Sequence, residues 1–214
     1  MIHIEKFTFG AFAENTYILY DENKNCIVVD PGCMDEGERL ELTNFISDNG
    51  LKVEKVVNTH CHIDHIFGNK FVKEHFGVKL YIPKDEAQVL AWGKLSADKW
   101  GIPGFEETEP DEFIPNEGKL TLGNEVLEIL FVPGHSPGHL AFYNKEGAFV
   151  IGGDVLFKQS IGRTDLPGGD MATLTDSIRK VMYQLPEDTV VHCGHGPSTT
   201  IGEEKRMNPF VRAV

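Results

Sequence analysis

The stretch THCHIDH, Thr59 to His65, places three histidines and an aspartate within seven residues of a chain that holds nine histidines in all. His60 and His62 stand two apart at the end of an apolar run. In extended backbone their imidazoles point to one side and can share a cation, and a third neutral imidazole would complete that site. Asp64 and His65 follow where the chain turns toward a helical stretch, and face a neighbouring position suited to a second cation. One loop thus offers half of each of two sites.

Three further loops supply donors, each where an apolar run stops. VPGHSPGH puts His135 after the run ending at Val132, IGGDVLF puts Asp154 after the run ending at Ile151, and VVHCGHGP puts His195 after the last run. Gly134, Gly153 and Gly194 each precede a donor. Glycine permits turns that other residues resist and lets backbone pass close to a metal cluster. Strand-end loops are also where sheet folds carry chemistry. A lone histidine is more often a satisfied core or surface residue, but four separate loops each delivering a donor point to a metal site, dinuclear or at least mononuclear. His3 and His75 are read as ordinary residues, His192 as packed on its strand, and His139 as a supporting residue behind the ligands. Cys26, Cys33, Cys61 and Cys193 form no C-x-x-C pair, so neither a zinc ribbon nor a disulfide framework is expected. Cys61 lies between ligands, and alternation turns it away from them into packing.

The elements that must position these loops alternate in type. Apolar and polar residues alternate through the first thirty positions, with Asp21 to Asn25 as a turn, which predicts three antiparallel strands stopped by Asp30-Pro31-Gly32. A helix is expected over Glu38 to Asn49, a strand over Lys52 to Asn58 and a helix over Ile66 to Phe76 closed by Gly77. The second half repeats the pattern loosely: strands over Val126 to Val132, Leu140 to Asn144, Ala148 to Ile151 and Thr189 to Cys193, and a helix over Ala172 to Leu185. Strands meeting helices in both halves predict an α/β layered sandwich, two sheets packed face to face with helices outside, in a single domain over 1–214. Residues 92–115, rich in Gly, Pro and acids, read as an irregular surface insertion, with a lid near the site as the alternative.

Twenty basic against thirty-three acidic side chains give a formal charge of −13, which repels a phosphate backbone and excludes nucleic acid as a first choice of partner. No apolar run approaches a membrane span and Glu5 and Lys6 interrupt the amino-terminal one, so no membrane partner is expected and the cytoplasm is the default location.

The succession T-H-x-H-x-D-H, then a distal G-H, a G-D and a G-H-G, resembles that of the metallo-β-lactamase fold hydrolases, and most of all glyoxalase II-like proteins of the short bacterial type. The resemblance runs from NTYILYDENKNCIVVDPG through THCHIDH, PGHSPGH, GGDVLF and IGRTDLPGGD to GHGPSTTIGEEKRMNPF, nearly the whole chain. It implies an αββα sandwich and two divalent ions, zinc first, with iron or manganese as alternatives. It assigns His60, His62 and His135 to the first ion, Asp64, His65 and His195 to the second, and Asp154 as a bridge. It also implies a metal-bound hydroxide attacking a small-molecule thioester of S-acylglutathione type or a related ester, with Asp64 orienting the water. Arg163 and Asp165 of IGRTDLPGGD are read as bracing their loop. Glyoxalase II proper has an added carboxy-terminal helical region that helps hold glutathione. This chain stops soon after MNPFVRAV, and Lys205, Arg206 and Arg212 read as solvated charges or remnants of it.

The resemblance admits two rivals: a persulfide dioxygenase-like oxidoreductase with one iron on His60, His135 and Asp154, and a metallo-hydrolase of a lactone or other ester. A metal-holding protein without turnover is disfavoured, because a structural zinc site closes with four ligands and does not need seven.

Overall fold

The computed structural model of the chain describes Met1 to Arg212. It divides into two compact units, Met1–Ile114 with Thr121–Glu125, and Pro115–Leu120 with Val126 onward.

In the first unit, strands β1 (His3–Phe9), β2 (Glu14–Tyr20) and β3 (Asn25–Val29) form the antiparallel meander that the alternation predicts. Helix α1 (Glu36–Asp48) then crosses to β4 (Lys52–Val57), helix α2 (Asn69–Phe76) to β5 (Lys79–Pro83), and helices α3 (Ala87–Ala91) and α4 (Gly93–Trp100) to β6 (Glu112–Ile114). These crossovers make β3, β4, β5 and β6 parallel, so the six-stranded sheet is mixed, in order β1-β2-β3-β4-β5-β6. Leu42 and Ile46 of α1 and Val72 of α2 join Ile18, Val28, Val56 and Leu80 in one buried apolar cluster. Helix α1 begins with a complete capping box, Asp35 accepting from Glu38 N–H while the Glu38 side chain accepts from the Asp35 backbone N–H.

The second sheet has the order β14-β13-β10-β9-β8-β7, built from β7 (Gly118–Leu122), β8 (Glu125–Phe131), β9 (Leu140–Asn144), β10 (Phe149–Gly153), β13 (Val190–Cys193) and β14 (Thr199–Thr200). A small hairpin, β11 (Leu156–Phe157) and β12 (Ser160–Ile161), stands apart from it in pairing. Helix α5 (Met171–Lys180) makes the crossover to β13, so β10 and β13 run parallel while β8, β9 and β10 run antiparallel. Leu174 and Ile178 of α5 pack with Val150 and Val191 of the sheet. Helix α6 (Ile201–Met207) follows, capped by Thr200 accepting from Glu203 N–H. Two mixed sheets with helices make the chain α/β, as the alternation of elements predicts.

Four local expectations need correction. Helix α2 starts at Asn69 and not Ile66, because Ile63–His65 is a 3₁₀ turn and Gly68 takes the cap. The helix expected to reach Leu185 ends at Lys180, where Val181 leaves helical geometry and a separate 3₁₀ turn, Met182–Gln184, follows. Residues 92–115 are irregular only over part of their length, since they contain α4 and β6. Strands β5 and β7 and helices α3 and α6 lie where no element was expected.

Candidate metal centre

Parallel pairing decides which loops meet. In the first sheet Val29 of β3 lies opposite Val57 of β4, so both strands end at the same edge. The residue after β3 is Asp30 and the segment after β4 is Asn58–His65. Asp30 takes φ +50, a left-handed conformation that aspartate tolerates better than most residues, and its backbone N–H donates to Val57 O at 2.9 Å. Its carboxylate then holds the whole loop. Oδ1 accepts from Thr59 N–H at 2.7 Å, while Oδ2 accepts from Thr59 Oγ1 at 2.6 Å and lies 3.2 Å from His65 Nδ1.

This network sets the tautomers. The Thr59 hydroxyl proton goes to Asp30, so the 3.1 Å contact of Thr59 Oγ1 with His60 Nδ1 makes Nδ1 the donor. His65 Nδ1–H donates to Asp30 by the same reasoning. The Asp30 carboxylate thus fixes the Nδ1–H tautomer of both histidines, His65 directly and His60 through Thr59, and makes Nε2 the acceptor nitrogen of each, the arrangement by which outer partners orient metal-bound imidazoles. The rings gather: the His60 centroid is 4.2 Å from that of His65 and 4.8 Å from that of His62. Asp64 Oδ2 is 3.8 Å from His65 Nε2. Asp30, His60 and His65 also offer three donor atoms within 4.8 Å of one another. The hydrogen bonds already made to Asp30 place it behind the imidazoles and not among the ligands.

The loop is pinned elsewhere too. Asn58 and Asn69 exchange amide hydrogen bonds at 2.8 and 3.3 Å, Asn58 Nδ2 donates to His65 O at 2.9 Å, and Cys61 N–H donates to the buried Glu86 Oε2 at 2.9 Å. Cys61 itself is buried in the apolar cluster, and burial pushes its thiol well above the usual range, while Cys26 and Cys33 are pushed up to about 12. Burial disfavours the thiolate in all three. Burial likewise raises the Glu14 carboxyl well above the carboxylate range, beside His65 Nδ1 at 3.7 Å.

The second unit repeats the logic. Gly153 of β10 lies opposite Cys193 of β13 in parallel register, which sends Asp154 and His195 off the same edge. β9 runs antiparallel to β10, so the His135 loop that feeds it opens there too. Asp154 Oδ2 lies 3.5 Å from His135 Nε2 and 3.4 Å from His195 Nε2, one carboxylate oxygen between two imidazole nitrogens. His135 Nδ1–H donates to Arg163 O at 2.7 Å, which makes Nε2 its acceptor nitrogen. His139 is buried and its Nε2 accepts from Asp154 N–H at 3.0 Å, so it supports the ligand loop. Arg163 grips Asp165 through two bonds of 2.7 Å, which brace the segment whose carbonyl holds His135 and draw the exposed Asp165 carboxyl down to about 2. Gly162 is required: a Cβ there would sit 2.0 Å from Asp154 O and 3.1 Å from His135 Nδ1.

Each unit thus brings its own candidate ligands together, His60, His62, Asp64 and His65 in the first and His135, Asp154 and His195 in the second. The donor chemistry, neutral imidazoles and carboxylates with partners that fix the rings, fits zinc, iron or manganese. His3 stacks on Tyr20, His75 lies against Phe71 and Phe76, and His192 contacts Phe149 and Ser198, consistent with structural roles. The sequence reading missed Asp30, Thr59, Glu86 and the Arg163 carbonyl. For Asp30 a signal existed, a carboxylate in the glycine-proline punctuation that ends β3.

Comparison with known proteins extends this picture. The sequence matches the Metallo-beta-lactamase superfamily over residues 9–195. It is 37% identical to Hydroxyacylglutathione hydrolase GloC of Haemophilus influenzae, an alignment covering 99% of each chain. Among solved structures, BLEG-1 B3 metallo-beta-lactamase is similar with a TM-score of 0.89 and 36% identity, covering 98% of this chain and 99% of that one. TTHA1623 in a di-iron-bound form is similar with a TM-score of 0.86 and 36% identity, covering 97% of this chain and 100% of that one.

Proposed function

Because the chain belongs to the metallo-beta-lactamase superfamily, whose fold implies divalent metals, we propose that it is a metal-dependent hydrolase of glyoxalase II type acting on the thioester of an S-acylglutathione-like substrate. The observation that supports the reading is the approach of Asp154 Oδ2 to two imidazoles, 3.5 Å from His135 Nε2 and 3.4 Å from His195 Nε2.

The proposal assigns His60, His62 and His135 to one ion, Asp64, His65 and His195 to a second, and Asp154 to both. These residues would hold divalent ions, which when bound would supply a water of pKa lowered toward ~7 and polarise a carbonyl. The chain's own contribution is order. Asp30 and Thr59 hold His60 and His65 in the ligating tautomer, and the Arg163 carbonyl does the same for His135. Asp64, its side chain 13% exposed, orients the attacking water. Water oxygen joins the acyl carbon, the carbon–sulfur bond breaks, and the thiolate takes the proton that the water gives up. A thiol of pKa about 8.5 leaves readily as the anion, so no dedicated acid is needed.

The test is hydrolysis of S-D-lactoylglutathione by zinc-, iron- and manganese-loaded protein, followed by loss of the thioester absorbance. Turnover that a chelator abolishes and the metal restores is expected. Oxygen uptake on glutathione persulfide without thioester turnover would replace the reading with the dioxygenase one.

A further inference from the structure

The hairpin β11–β12 has a two-residue turn, Lys158-Gln159, and Gln159 takes φ +54 although it is not glycine. Such a residue persists only where its surroundings hold it. Gln159 N–H donates to Glu204 Oε2 at 2.9 Å, and the fully buried Glu204 also accepts from Thr199 Oγ1 and from Asn208 Nδ2 at 2.8 Å. Asn208 in turn donates to Ser160 O at 3.0 Å, closing a frame from α6 around the turn. The turn so fixed forms one side of an open groove of roughly 480 Å³, lined by Phe157, Lys158, Gln159, His195, Gly196 and Pro197. That volume lies within the range of small-molecule sites. His195, assigned above as a metal ligand, stands in its wall, and the Phe157 ring lies 6.2 Å from the His195 ring.

In a chain of formal charge −13, Lys158 is the lysine or arginine among the described residues that line the groove. Its Nζ is 3.5 Å from Glu203 Oε1, both side chains are substantially exposed, and such a pair is weak enough to yield to a better anion. We propose that this groove is the subsite for the thiol portion of the substrate and that Lys158 selects thioesters whose thiol carries a carboxylate, with Glu203 as the charge that the substrate displaces. The inference rests on the thioesterase reading and deepens it.

The experiment compares KM and kcat for S-D-lactoylglutathione with those for the uncharged S-lactoyl-N-acetylcysteamine, in wild type, Lys158→Glu, Lys158→Arg and Glu203→Gln. Lys158→Glu should raise KM for the anionic thioester about tenfold or more with kcat little changed, leave the neutral thioester unaffected, and be rescued by Lys158→Arg. Glu203→Gln should lower the anionic KM, and 0.5 M salt should erase the preference. Equal effects of Lys158→Glu on both thioesters, or no effect on either, would overturn the subsite while leaving the hydrolase standing. Failure of wild-type protein to cleave either thioester would overturn both.

Discussion

A single aspartate governs two proposed ligands. Asp30 Oδ2 accepts hydrogen bonds from the Thr59 hydroxyl and from His65 Nδ1–H, and through Thr59 it sets His60 as well. Asp30→Asn keeps the size and tolerates the left-handed backbone, yet it loses the charge and must turn an NH₂ toward one of these donors. We expect metal affinity to fall about 10- to 100-fold in competition with a chromogenic chelator, with the fold retained by circular dichroism. Unchanged affinity would remove Asp30 from the account. The punctuation after β3 marked Asp30 itself, but its partners were not legible in the sequence, because thirty-five residues separate it from His65 and the register of β3 on β4 brings them together. The ligands of THCHIDH were legible for the opposite reason: six consecutive residues hold all four, so local alternation sufficed to group them.

At the scale of elements, strand ends and glycines do the positioning. Parallel pairs β3–β4 and β10–β13 send their following loops off common edges, which the alternation of strand and helix foretold in outline. Short elements escaped it. β5, KLYIP, has only Leu80 and Ile82 as its inward pair, and α6 had a usable signal in Thr200 followed three residues later by Glu203 that was not taken up. The break at Val181 was invisible to periodicity, since Met182 and Tyr183 remain buried after the α-helix has ended. Gly162 gives an element-level test. Its alanine variant would drive a methyl against Asp154 O and His135 Nδ1, so the segment must shift by about an ångström, a misplacement that costs on the order of 100-fold in rate. Because the clash is with backbone, we expect Gly162→Ala to lower the thermal midpoint and, assayed well below that midpoint, to lose most of its kcat for the thioester. Wild-type turnover would show that the 162–165 segment does not order the ligands.

For the whole molecule, the acidic balance sets a formal charge of −13, and among the described residues no helix is long and apolar enough to cross a membrane. Each compact unit contributes a preorganised half of the proposed donor set, with its own carboxylate and its own fixed imidazoles. Division of the donors between distant loops explains what the sequence disclosed and what it withheld. Glycine-flanked histidines and aspartate at strand ends marked the donors, whereas the hydrogen bonds that aim them arise from pairings and turns that only the folded chain defines. The account stands or falls on whether those halves grip metal as one centre. The most direct measurement is the metal-to-chain ratio, by plasma mass spectrometry, of wild-type protein and Asp154→Ala reconstituted side by side. Two equivalents in wild type and one or fewer in Asp154→Ala are expected, and two equivalents retained in the variant would contradict the claim.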